Sequence, residues 1–164
     1  MPGTVRAAQS GLDMKLAACL IAIWSLGNAA ATPLVAAPTS VPDAAVTAQD
    51  CGDFLAQMQK KPAHVEYAGC SYAPDRQGKP LEATYRVSGR FAAATEAYLI
   101  KAVGLNRLKR SCCLWDSPAS QYRDSIGRDF LISMVSEETM VSSRSEWPRI
   151  IVFEITVETF TEDM

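Results

Sequence analysis

Histidine is all but missing from this chain: His64 is the only one among 164 residues. Any Ser-His-acid or Cys-His nucleophile would have to be built on it. There is no G-x-S-x-G, no H-E-x-x-H and no Walker-type glycine loop, so the common hydrolase, zincin and P-loop chemistries have no footing. A basic excess is missing too. The formal net charge is −2, whereas nucleic-acid binders ordinarily carry a clear surplus of Lys and Arg. The apolar run Leu16 to Leu26 falls well short of the about 20 residues a bilayer span needs.

What the chain has in quantity is cysteine, five in all. Their meaning depends on compartment, and the first residues bear on that. Lys15 precedes the apolar run, and "GNAAATP" follows it. A basic residue, a short apolar core and an Ala-x-Ala end make a secretory signal peptide. Residues 1–31 are therefore expected to be removed, with cleavage after Ala31, or after Ala37 as the alternative. The polar stretch Met1 to Asp13 does not suit such a leader, so the start is expected at Met14. "LAAC" (Leu16 to Cys19) resembles the motif before a lipid-modified cysteine, but such a motif follows an apolar run and this one precedes it. A lipoprotein through Cys19 is thus disfavoured, and the mature chain keeps an even number of cysteines. The expected location is periplasmic or secreted, with no stable membrane span in the mature form.

Residues 32–49, rich in proline and alanine without apolar periodicity, read as a linker. A single globular domain is expected over 50–164. Asp50 to Lys61 reads as a helix capped by Asp50 with Phe54, Leu55 and Met58 inward, stopped by Pro62. "AHVEYAGCSYA" and "LEATYRVSG" flank turn chemistry in "PDRQGKP", which predicts a hairpin with Ala83, Tyr85 and Val87 on the buried face. Phe91 to Gly104 reads as a second helix. "CCLWD", "RDFLISMVS" and "RIIVFEITVETF" read as strands, the last with Ile151, Phe153, Ile155 and Val157 on one face. The order α-β-β-α-β-β-β predicts an α+β fold: about five mostly antiparallel strands with two helices on one face.

The adjacent pair Cys112 and Cys113 does not fit C-x-x-C zinc or redox spacing, and no metal and no cofactor is expected. If the pair lies in a strand, the two side chains point to opposite faces, and each meets a different partner. Trp115 shares parity with Cys113, which favours disulfides Cys51–Cys113 and Cys70–Cys112; the crossed pairing Cys51–Cys112 with Cys70–Cys113 is the alternative.

Other chemistry is thin. His64 has Glu66 two residues on, a pattern met more often on a solvated strand edge than in a catalytic dyad. Glu154 and Glu158 share a strand face but stand about 13 Å apart along it, and Glu137 with Glu138 falls in a turn. Lys101, Arg107, Lys109 and Arg110 follow the second helix, where cations favour the helix C-terminus. No catalytic residue is assigned. The candidate binding surface is the hairpin loop, with Asp75, Arg76 and Lys79, joined by Trp147 of "SRSEWPR" as an exposed aromatic.

The segments "CGDFLAQM", "KPAHVEYAGC", "YRVSGR", "CCLWD" and "VETFTED", spanning Cys51 to Asp163, resemble an uncharacterised family of small exported Gram-negative bacterial proteins, a domain of unknown function. The resemblance implies export and no particular reaction. The leading expectation is a non-enzymatic binding protein of the inhibitor or immunity type, acting on another envelope or secreted protein. The alternatives are a small envelope hydrolase working through carboxylates or His64, and a structural envelope protein.

Overall fold

The computed structural model describes residues 46–162. The expected leader, Met14, Cys19 and both cleavage positions lie outside the described residues. No helix among the described residues is long and apolar enough to cross a membrane.

The predicted hairpin is present. Strand β1 (Glu66–Tyr72) pairs antiparallel with β2 (Pro80–Ser88), setting Glu66 opposite Arg86 and Cys70 opposite Ala83. Leu81, Ala83, Tyr85 and Val87 of β2 are buried. Helix α2 (Gly89–Val103) follows at once and stops at Gly104, whose φ of 72° is the left-handed cap conformation that glycine adopts without cost. Its first residue is held for a different reason. A Cβ on Gly89 would lie 2.1 Å from the Trp147 carbonyl oxygen and 2.2 Å from that of Ile150. Only glycine lets the helix rest on the 3-10 turn Arg144–Arg149.

Five more strands follow: β3 (Lys109–Ser111), β4 (Leu114–Asp116), β5 (Ser120–Arg123), β6 (Asp129–Ser136) and β7 (Val152–Phe160). The sheet has seven strands, ordered β1-β2-β7-β6-β4-β3, with β5 also on β6. Every pairing is antiparallel. The α+β class holds with more strands than expected, because β3 and β5 are too short to show a periodic pattern. Strand β7, latest of the strands in sequence, lies in the middle between β2 and β6. Phe153, Ile155 and Val157 are buried as expected, whereas Ile151 precedes the strand and is 78% exposed.

The expected first helix is shorter and capped elsewhere. Ala48–Asp50 is a 3-10 turn, and α1 (Phe54–Gln57) is a single helical turn capped by Asp53. Asp53 accepts from the Ala56 amide at 3.0 Å and from Lys61 Nζ at 2.7 Å. Partial burial works against its charge, but these donors outweigh it and hold the carboxyl below its usual range. Gln59, at φ 57°, turns the chain out of the helix. Phe54 and Leu55 reach the core, where Phe54 packs 5.6 Å from Phe130. The Leu55 amide donates to the buried Tyr85 hydroxyl at 2.9 Å. Burial, first of all, pushes that phenol well above its ordinary value.

Trp147 is fully buried, 5.2 Å from Trp115 and 5.1 Å from Phe153. It therefore belongs to the core and not to a binding surface, contrary to the expectation from its charged neighbours in sequence. Arg144 covers it, 4.6 Å above the ring. The same guanidinium donates to Glu96 Oε2 at 2.6 Å and to the Leu108 carbonyl, while Glu96 Oε1 accepts from the Leu108 amide at 2.8 Å. This buried carboxylate, on α2, thereby ties the helix to the chain before β3 and to the 3-10 turn.

The cysteines correct the expected pairing. Cys51 is bonded to Cys70, Cα atoms 5.7 Å apart, and Cys112 and Cys113 are free thiols. Opposite-facing side chains, which a strand would impose, do not arise here because the pair is not in a strand. Ser111 faces Leu114 across the β3–β4 ladder, so Cys112 and Cys113 are the two turn residues between them. Neither reaches Cys51 or Cys70. The one disulfide ties the segment before α1 to β1 across a separation of 19 residues, for which the chain-entropy account gives about 3 kcal/mol.

Candidate functional site

Strands β2, β6 and β7 bury every second residue beneath the helices. The intervening residues form a second face, and among the described residues no helix packs on it. Register makes that face a grid. One row crosses nearly the whole sheet: Glu66 opposite Arg86, Arg86 opposite Glu154, Glu154 opposite Val135, Val135 opposite Asp116, and Asp116 opposite Lys109. Opposite charges at directly facing positions attract across strands, so Arg86 sits between two acids. The next row holds only small residues, Gly69, Thr84, Thr156 and Ser133. Beyond it lie Ser71, Glu82, Glu158 and Leu131.

The hairpin loop folds onto this grid. Arg76 reaches Glu82 at 3.0 Å and Glu158 at 2.6 Å. Lys79 pairs with Glu162 at 2.5 Å, and its carbonyl accepts from the Thr161 hydroxyl. Asp75 is exposed at the loop's outer end. Of the four expected surface residues, then, Asp75, Arg76 and Lys79 flank the open face at one end of the grid, and Trp147 is in the core. Acids outnumber bases here: Glu66, Glu82, Glu154, Glu158 and Asp116 against Arg76, Arg86 and Lys109.

The remaining candidates do not converge. His64 is exposed, with its ring stacked on Phe91 at 3.8 Å and 8° between planes. Among the described residues it forms no ion pair with an acid. Glu154 and Glu158 share the open face, but the small-residue row separates them and Arg76 holds Glu158. Glu137 accepts from the Ile151 amide at 2.8 Å. The expected basic cluster is split: Lys109 belongs to the open face, whereas Arg110 pairs across from buried Trp115 and donates to the Thr139 carbonyl at 2.7 Å. At the far end, Asp124 organises the β5–β6 turn. It accepts from the amides of Ile126 and Arg128 at 3.0 and 2.9 Å and from Arg128 Nε at 3.0 Å. Burial opposes its charge, yet these bonds hold it below the ordinary range.

The rows across the strands were not readable from sequence, since they depend on register between segments up to about 90 residues apart in the chain. Glu96 left no signal: the apolar spacing of this helix points to Phe91, Ala94, Tyr98 and Val103 as its inward side, whereas the buried side runs through Ala92, Thr95, Glu96, Leu99 and Val103, and Ala94 and Tyr98 are exposed.

The class these features define is an antiparallel α+β domain with helices on one face of its sheet and a charged second face on which no helix packs among the described residues. A family model for a domain of unknown function (DUF4952) matches residues 41–115. No curated protein and no solved structure matches the chain. The matched segment carries the 3-10 turn Ala48–Asp50, α1, β1, β2, α2, β3 and Leu114 and Trp115 of β4. In the sheet those strands stand on two flanks, held apart by β6 and β7.

Proposed function

We propose that this is an exported, non-enzymatic binding protein of the inhibitor or immunity type, and that the open face of the sheet with the loop 73–79 engages another envelope or secreted protein. The observation that carries the reading is the second face itself: a broad, regular surface with a charge grid on which, among the described residues, no helix packs and no catalytic groups converge. Strand-borne side chains are held by the ladder, which keeps the entropic cost of binding low. The acid excess selects a partner whose contact surface is basic and opposes phosphate backbones. The leader-like residues before the domain and the disulfide Cys51–Cys70 suit a chain that works outside the reducing cytosol.

The test is photo-crosslinking in the native envelope, with a benzophenone side chain at Thr156 and, for comparison, at Met140, which is 93% exposed away from the grid. A partner is expected at Thr156 and not at Met140. Its capture should vanish in the variant carrying Glu154→Lys and Glu158→Lys, while that variant melts near the parent. Equal capture at both positions, or capture indifferent to the charge swap, rejects the reading. Export is checked separately by sequencing the N-terminus of the native protein, expected to begin at Thr32.

A further inference from the structure

The β3–β4 turn carries chemistry that the open face does not use. Cys112 and Cys113 are its two central residues, and Cys112 has φ 48°. Such a turn ordinarily takes Asn or Gly at a left-handed position, so a cysteine there is conformationally costly. The strained backbone brings the two sulfurs together: Sγ to Sγ is 3.0 Å. Cys112 is exposed and Cys113 partly so, and both are free. The turn is also anchored. The Thr139 amide donates to the Cys113 carbonyl at 2.7 Å, and Arg110 donates to the Thr139 carbonyl. Two reactive groups thus stand in contact at an accessible tip on the edge of the sheet.

We infer that Cys112 and Cys113 form a thiol–disulfide exchange site, a dithiol that closes to a bond between neighbours at the expense of an incoming disulfide. The Cys112 thiolate, having given its proton to water, attacks one sulfur of the incoming disulfide; a mixed disulfide forms and one thiolate leaves. Cys113, losing its proton in turn, attacks the Cys112 sulfur and expels the second thiolate. Two electrons and two protons pass to the incoming disulfide, which ends as two thiols. Cys113 suits the second role. Its hydrogen bond with Cys112, the largest influence on it, raises its pKa, so it keeps its proton until the mixed disulfide has formed.

Closure draws the sulfurs from contact to the roughly 2.05 Å of a bond. The resulting ring contains only the one peptide linkage between the two residues, so it removes almost no freedom from the unfolded chain. It is a poor staple, and an exposed, constrained disulfide is readily reduced. Reversible exchange is what remains for such a pair to do.

The experiment equilibrates the full chain in glutathione buffers of increasing oxidised fraction, quenches with iodoacetamide and maps the peptide holding both residues. The parent protein should pass from two alkylated thiols to an unalkylated species two hydrogens lighter than the free dithiol, without bound glutathione, and return on reduction. Cys51–Cys70 should stay intact throughout. Cys113→Ser should stop at a stable glutathione adduct on Cys112. A lasting double adduct in the parent, links to Cys51 or Cys70, or thiols that stay free at every ratio would each overturn the inference. The parent's peptide map decides the matter even if the variant folds poorly. To separate a small-molecule from a protein disulfide as the physiological reactant, Cys113→Ser is expressed in the native envelope. A trapped protein adduct points to the latter and a glutathione adduct to the former, while recovery of unmodified Cys112 counts against both.

Discussion

Two faces of one sheet can be compared residue by residue, because neighbouring positions on the same strand serve opposite ends. Phe153 is fully buried against Trp147, and Glu154, the next residue, stands opposite Arg86 on the open face. Backbone, pairing and strand are shared, so the difference between them is one of solvent. On the covered face free energy comes from apolar area removed from water. On the open face an ion pair that is exposed, such as Arg76 with Glu82, adds little stability, and such side chains are released for recognition. A substitution should therefore report which face it is on by whether it alters melting or binding.

The largest effect is expected where the covered face admits no side chain at all. Gly89→Ala places a methyl within 2.2 Å of two backbone carbonyls, and the helix or the 3-10 turn must shift; a loss of about 4 kcal/mol is expected in urea unfolding. A loss below about 1 kcal/mol would mean that the two elements are not locked together. Next, Phe153→Ala should cost about 3–5 kcal/mol, while Glu154→Ala stays within about 0.5 kcal/mol; similar costs for this adjacent pair would erase the contrast between the faces. Tyr85→Phe strands the Leu55 amide in the core, and about 2 kcal/mol should be lost.

Acid should act next. Asp53 and Asp124 are both held below the ordinary 3.8. Their contribution is fully present above the unfolded value and is lost as pH falls through the folded ones. The melting temperature should thus be insensitive to these groups above about pH 5 and drop below about pH 4. Asp124→Asn should melt lower at neutral pH and show a shallower acid drop; an unchanged profile would leave the turn's carboxylate without a role. The smallest effect is reserved for Arg76→Ala. It cuts the exposed pair with Glu82 and the pair with Glu158, whose side chain is only 14% exposed, and should shift stability by about 1 kcal/mol while weakening partner capture. A large shift in melting would make Arg76 a structural residue.

Much of this was legible in the sequence where period and punctuation agreed. The hairpin around "PDRQGKP", helix α2 with Gly104, and the alternation in β6 and β7 all follow from local pattern. Cys112 and Cys113 were misread because "SCCL" lacks the Asn or Gly that marks a two-residue turn, so it reads as a strand beginning at Cys112. The sequence around Trp147 misleads because its neighbours there are polar, while its neighbours in space, Trp115 and Phe153, come from strands β4 and β7. Arg76 was recognisable as a loop residue. Its destination between Glu82 and Glu158 depends on how β2 pairs with β7, which no local pattern encodes.

The central position of β7 also has a consequence in time. As a chain is made, residues 152–160 emerge after every other described strand, yet they supply the seam between β2 and β6. Until they arrive, the β1–β2 hairpin and the β6 group are separate fragments with unpaired edges, and Ala83, Tyr85, Ile132 and Met134 have only part of their cover. The β2–β7 and β6–β7 pairings cannot form before residues 152–160 have been made.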